Sequence, residues 1–213
     1  MTGTGNSLQN LEIVGGDLAL DFVNTVHSWH DDPLPDHLHG FEDLLAWAGL
    51  VGLIDEAAVR RFRSAPPREQ RRAFRAAIDL RAALHRLFVS VAAGRTLPQD
   101  ALDRLTGVLH RTARWRRLQA DPASRGKTLR GVWDFARAPA EALLGPIAWR
   151  AAGLLENGPL DRLKECPSDH CGWLFLDTSK NRSRTWCSMK ACGNAAKVRR
   201  FRRRRAAADA ESS

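Results

Sequence analysis

The chain has 213 residues, 44% of them hydrophobic and 27% charged, the composition of an ordinary globular protein and not of a disordered or fibrous one. A chain this long buries roughly 70% of its unfolded surface, so its core needs no disulfides. The formal net charge is +9, yet Lys180 to Arg205 holds eleven basic residues and no acidic one, leaving 22 basic against 24 acidic elsewhere. So concentrated a cationic stretch points to a polyanionic partner. No apolar run approaches bilayer length, which excludes a transmembrane helix. The first ten residues lack the basic and apolar regions of a secretory signal, so a cytoplasmic protein is expected.

In chain order, Leu11 to Val14 is a short apolar run broken by Gly15-Gly16. Asp17 to Val26 follows at helical period, with Ala19, Phe22, Val23 and Val26 on one face and Asp21, Asn24 and Thr25 on another. Asp17 stands where an N-cap carboxylate is favoured. His27 to Gly40 reads as loop. Phe41 to Leu50 and Asp55 to Phe62 predict two short helices. Pro66-Pro67 opens the longest one, to about Ala93, with Phe74, Ala77, Ile78, Leu84, Phe88 and Val91 inward and Gly94 as its stop. Pro98 opens another through Leu102, Leu105 and Leu109. Trp115 to Ala120 and Thr128 to Phe135 are strand-like around the turn-rich Pro122 to Lys127, which predicts a hairpin. Ala138 to Leu155 is again helical, and Glu156-Asn157-Gly158-Pro159 ends it. The predicted fold is therefore mainly α with a small β-hairpin. Residues 1–157 form a helical domain with its own core, 160–205 a small four-cysteine module ending in a basic helix, and 206–213 a frayed tail.

All four cysteines fall in the second module, spaced Cys-x4-Cys-x15-Cys-x4-Cys. Cys166-Pro-Ser-Asp-His-Cys171-Gly172 and Cys187-Ser-Met-Lys-Ala-Cys192-Gly193 repeat one local form, in which glycine lets the backbone turn through positive φ beside the thiolate. Two such turns supply the four soft ligands of tetrahedral zinc. Two disulfides, free buried cysteines and iron are the alternatives, and His170 is a spare ligand that the symmetric repeat does not need. Four protein ligands leave no open position for water, so the metal is structural. Trp173, Phe175 and Trp186 would complete a small core around it.

The stretch from Cys166 to Arg202, with Cys171-Gly-Trp-Leu-Phe-Leu-Asp-Thr-Ser179, Arg184-Thr-Trp-Cys-Ser-Met189 and Cys192-Gly-Asn-Ala195, resembles the CGNR zinc finger. Val14-Gly-Gly-Asp-Leu-Ala-Leu-Asp-Phe-Val-Asn-Thr-Val26 is similar to the opening of the ABATE domain, which precedes that finger in a family of stress-induced bacterial transcription regulators. The resemblance spans nearly the whole chain and implies zinc and DNA binding. One departure stands out: the fourth signature residue, arginine in the family, is Ala195 here.

From Asn194 to Arg205 the composition suits a helix on which Ala195, Val198 and Phe201 recur at three-residue steps and would dock on the finger. Lys197, Arg199, Arg200, Arg202 and Arg203 occupy the other faces, and Arg182, Arg184 and Lys190 add charge from the preceding loop. Arginine dominance favours phosphate or guanine contacts. DNA is the expected partner and RNA the alternative, with Trp173 or Trp186 available to stack on unpaired bases. A solvated tail or a contact to an acidic protein is the plainer reading.

In the first domain, His27, His30, His37 and His39 lie close to Asp31, Asp32 and Asp36. A second metal site there competes with a solvated polar loop, which the prolines favour. Asp21, Asn24 and Thr25 could line a pocket for a small-molecule effector or cap neighbouring backbone, with Arg81 and His85 as buried groups able to meet them. No nucleophile elbow, P-loop or Gly-x-Gly-x-x-Gly is present, so no enzymatic activity is expected. A small-molecule-binding protein or an enzyme, whose finger serves RNA or protein contacts, is the competing class.

Overall fold

The computed structural model describes Leu8, residues 11–31 and residues 36–211, without the side chains at 204 and 206–211. Asp32, Pro33 and Pro35 of the histidine-rich loop lie outside the described residues. The helices are α1 (Leu18–Val23), α2 (Phe41–Leu50), α3 (Glu56–Arg63), α4 (Pro67–Ala92), α5 (Gln99–Ala113), α6 (Leu144–Asn157) and α7 (Asn194–Glu211). Two antiparallel hairpins accompany them: β1 (Arg116–Ala120) with β2 (Leu129–Trp133), and β3 (Leu163–Glu165) with β4 (Leu174–Leu176). The fold is mainly α, with the four-cysteine finger at its C-terminal end.

Local chemistry fixes most boundaries. Asp17 Oδ1 accepts from the Ala19 amide at 2.9 Å, and Asp55 Oδ1 from the Ala58 amide at 2.8 Å, capping α1 and α3. Pro67 opens α4, where a missing N–H costs nothing. Gly94, at φ 62°, closes α4 with its amide on Val91 O, while the Arg95 amide bonds Ser90 O at 2.8 Å. Along α4 the residues Ala73, Ala77, Leu80, Leu84 and Leu87 are buried. Phe74, Ile78 and Val91, expected inward, are only half-buried, because α1 and α2 on one flank and α5 on the other centre the covered arc elsewhere. α1 is shorter than its periodicity predicts. Asn24 caps it, and Val26 leaves to bridge Asp36.

The β1–β2 hairpin pairs Arg116 with Trp133 and Ala120 with Leu129. Trp133 leans over α6 at Gly145, where any side chain would occupy the ring's place.

The finger does not stand apart. β4 is buried along its whole length, and Leu163, Cys166, Leu174 and Phe175 share one continuous core with Phe22 and Leu84. The Leu176 amide donates to Gly15 O at 2.8 Å, Trp173 Nε1 to Val26 O at 2.7 Å, and the Trp29 amide to Cys171 O at 2.7 Å. The expectation of a separate core for residues 1–157 is thus corrected. A finger with two three-residue strands has too little apolar surface of its own, and it shares the surface of α1 and α4. The segment after Arg205, expected to be a tail, continues α7 to Glu211.

Candidate metal centre and basic helix

The β3–β4 hairpin carries Cys166 just after its first strand and Cys171 just before its second. A loop then returns Cys187 and Cys192 to the same point. The four sulfurs all lie within 4.8 Å of one another, with Cys171 and Cys187 at 3.5 Å and Cys187 and Cys192 at 3.6 Å. Four thiolates about 2.3 Å from one zinc ion stand about 3.8 Å apart on a tetrahedron, so the cage fits zinc closely. All four are free thiols, which removes the disulfide reading. Hydrogen bonds from the thiols of Cys171 and Cys187 pull Cys166 down to about 2, well below a free cysteine. That thiolate and burial in turn push Cys187 and Cys171 far up. Protons alone leave the cluster unable to carry four negative charges, which is the charge state a divalent cation stabilises. Among the described residues, no second group of histidines, cysteines or carboxylates converges in this way.

The two glycines behave differently. Gly172 has φ 70° and turns the chain so that the Trp173 amide meets Cys171, as expected. Gly193 does not adopt positive φ. It ends a π-turn (Met189–Gly193), its amide donating to Ser188 O at 3.0 Å, and its missing Cβ makes room for Met189 Sδ.

Asp177 orders the loop between the cysteine pairs, a role the sequence reading missed. Fully buried, its carboxylate accepts from Lys164 Nζ at 2.6 Å, Ser179 Oγ at 2.6 Å, and the amides of Ser179 and Arg184. Burial pushes its pKa upward, but the Lys164 ammonium and the Ser179 donors outweigh that and hold it low. Asp177-Thr-Ser179, an Asx-type turn sequence, was the available signal.

The expected cationic residues divide by environment. Arg184 is turned inward: its guanidinium lies 4.2 Å over the Phe175 ring and donates to the carbonyls of Val14, Trp186 and Cys187. It serves the finger's scaffold, in contrast to the nucleic-acid contact expected of it, because carbonyl acceptors fill its fork. Arg182 pairs with Asp161 at 2.7 Å, and Arg199, half-buried, reaches Ser168 Oγ at 3.4 Å. Lys190, Lys197, Arg200, Arg202 and Arg203 are exposed, and among the described residues no carboxylate pairs with them. The docking stripe is also corrected. Val198 is 48% and Phe201 65% exposed, Ala195 is exposed, and Ala196 with Arg199 faces the finger instead. α7 packs mainly on the π-turn before it and then projects outward.

Asp21, Asn24 and Thr25 are not a convergent pocket. Asn24 clamps the backbone of Leu174, donating from Nδ2 to its carbonyl at 2.8 Å and accepting its amide at 2.9 Å. Thr25 Oγ1 bonds Phe22 O and accepts from Arg81, which also pairs with Asp36. Asp21, whose pKa burial raises, accepts the Gly15 amide at 2.8 Å. Each serves an internal partner, so the capping alternative describes them. The histidines are equally dispersed: the His27 ring lies tilted against buried His37, His30 bonds Glu165 at 3.1 Å, and His39 meets Asp43. His85 stacks on Trp29 at 3.8 Å, and its Nε2 is buried with no hydrogen-bond partner among the described residues.

Among the described residues no helix is long and apolar enough to cross a membrane. Residues 16–158 match the ABATE family model, described as "Putative stress-induced transcription regulator", and residues 162–205 match the CGNR zinc finger model. Neither is a family of enzymes. No curated protein matches the chain.

Proposed function

Because the chain belongs to the ABATE family and carries a CGNR zinc finger, we propose that it is a cytoplasmic, non-enzymatic transcription regulator that binds DNA through α7 and senses a small molecule through its helical domain. Zinc supplies structure only: with four protein ligands it offers no position to water or substrate. Its protein ligands fix where the π-turn sits, and the π-turn aims α7. The observation that carries the reading is the projecting helix itself. Lys190, Lys197, Arg200, Arg202 and Arg203 are exposed together, and the helix holds no acidic residue before Asp209. Like charges so dense repel one another unless a polyanion neutralises them.

Labelled duplex DNA and single-stranded RNA titrated at several salt concentrations test it. Neutralising about five phosphates gives a slope of log affinity against log salt near −4 to −5 for duplex DNA. Replacing Lys197, Arg200, Arg202 and Arg203 by glutamine flattens that slope and weakens binding to all sequences alike, while one base-reading arginine would cost about 1–3 kcal/mol at a single position. Ala195 is exposed on the first turn of α7, so Ala195→Arg adds a free cation and steepens the slope by about one. No binding at low salt ends the proposal. Preference for RNA has one observation in its favour: Trp173 is buried with its N–H occupied, but Phe201 is open to stack on an unpaired base.

A further inference from the structure

Between the β1–β2 hairpin and α6 runs a groove of about 620 Å³, a volume ordinary for small-molecule sites. Among the described residues, none of the cysteines or the α7 cations lines it. Trp133 and Trp149 give it aromatic walls, and Arg116 lies across it with its guanidinium 4.3 Å from the centre of the Trp149 ring. Arg116 is half-buried, and among the described residues no carboxylate pairs with it. Its neighbour Arg150 is already neutralised by Asp17 at 2.7 Å. Among the described residues the groove therefore holds one uncompensated cation, held against an aromatic face.

Two glycines keep that arrangement open. Gly131 stands on β2, and a Cβ there would come within 2.8 Å of Arg116 Cζ, so only glycine lets the arginine lie across the hairpin. Gly153 lines the groove from the middle of α6, and a Cβ there would meet nothing within 4 Å. A mid-helix glycine with ordinary φ is a costly choice for the helix. Its consequence here is empty space.

We infer that this groove binds a small organic monoanion with a flat apolar body, of the aromatic carboxylate class. The carboxylate takes the guanidinium of Arg116 in a two-point contact, and the flat body lies against Trp133 and Trp149. A single free cation beside the Asp17 carboxylate suits one negative charge and disfavours a polyphosphate. The groove also reaches Leu176 of β4 and the Gly158-Pro159 linker, so its occupant touches helical domain and finger together. This deepens the sensing role proposed above and rests on that role only for its regulatory meaning.

The test uses full-length, zinc-loaded protein with 2-naphthoate as probe, read by calorimetry and tryptophan fluorescence. One saturable site per chain is expected. Arg116→Gln weakens it at least about tenfold, and the neutral 2-naphthamide binds the unaltered protein at least about tenfold more weakly. Gly153→Leu fills the groove and abolishes binding while leaving the thermal transition as high or higher, since leucine is the better helix former. Should that variant lose its zinc or its fold, Arg116→Gln and the amide decide the matter. No saturable binding at millimolar probe overturns the assignment, as does binding that Arg116→Gln leaves unchanged. No nucleic acid enters the measurement, so this assignment and the DNA reading fail separately.

Discussion

The two cysteine turns have the same sequence form and opposite structural employment. Cys166 to Gly172 faces the helical domain: Cys171 is buried, its carbonyl takes the Trp29 amide, and the next residues are clamped by Asn24 and Val26. Cys187 to Gly193 faces outward: Cys192 is half-exposed, and a π-turn launches α7 into solvent. One half of the metal cage is therefore anchored and the other half is presented. Shared ligands do not imply shared duties. A repeat of sequence sets the donor positions, while the neighbours of each turn decide what else it does.

The largest effects should come from breaking each half in turn. Cys171→Ser and Cys192→Ser should both release zinc, measured by elemental analysis, but Cys171→Ser should also lower the unfolding free energy of the whole chain by about 2–4 kcal/mol. Cys192→Ser should leave more of that stability intact and mainly lose helical signal and nucleic-acid affinity. Equal losses in the two variants would mean that the anchored and presented halves do not differ.

A smaller effect should appear with pH beside the anchored turn. Burial, assisted by the nearby positive charge of His30, lowers the pKa of His85 from 6.5 to about 4. The unfolded chain then binds the proton more readily, so His85 stabilises the fold above pH 6.5 and that contribution declines towards pH 4. The decline amounts to about 3 kcal/mol across the window. Denaturant unfolding between pH 7 and 4.5 reads it, and His85→Phe, which keeps a ring on Trp29, should flatten the profile. An unchanged slope in that variant would assign the acid sensitivity to other groups.

The smallest effects should separate the glycines. Gly172→Ala forces alanine into positive φ and brings its Cβ to 2.7 Å from His30 Nε2 and 3.0 Å from Trp29 Cβ, which should cost about 1–3 kcal/mol. Gly193→Ala meets the flexible end of Met189 and should cost less than about 1 kcal/mol. Thermal melts of the two variants reversed in order would remove the distinction between the turns.

How much of this was legible depended on how local the cause was. The cap at Asp17, the stop at Gly94 and the span of α2 are decided within a few residues, and the sequence displays them. The cysteine cage was legible because its spacing is itself the signal. Asn24 was not, since its partner Leu174 lies 150 positions away and nothing near Asn24 distinguishes a clamp from a ligand group. Arg184 looked like its basic neighbours, and only the carbonyls gathered around it turn it inward. Ala195, Val198 and Phe201 have the period of a buried stripe, but the face that α7 turns to the finger is chosen by the π-turn, where periodicity is silent.

That π-turn has a consequence for chain length. A π-turn is a helical turn holding one residue more than an α-turn, and each residue of an α-helix advances its side chains by about 100°. Four residues separate Cys187 from Cys192, and the cage fixes both ends of that interval. The interval therefore works as a phase setting for everything downstream. A deletion of one residue that still let four sulfurs meet would swing the outward arginines about a quarter-turn or more. The spacing between the last two ligands thus determines the azimuth at which the finger offers its charge.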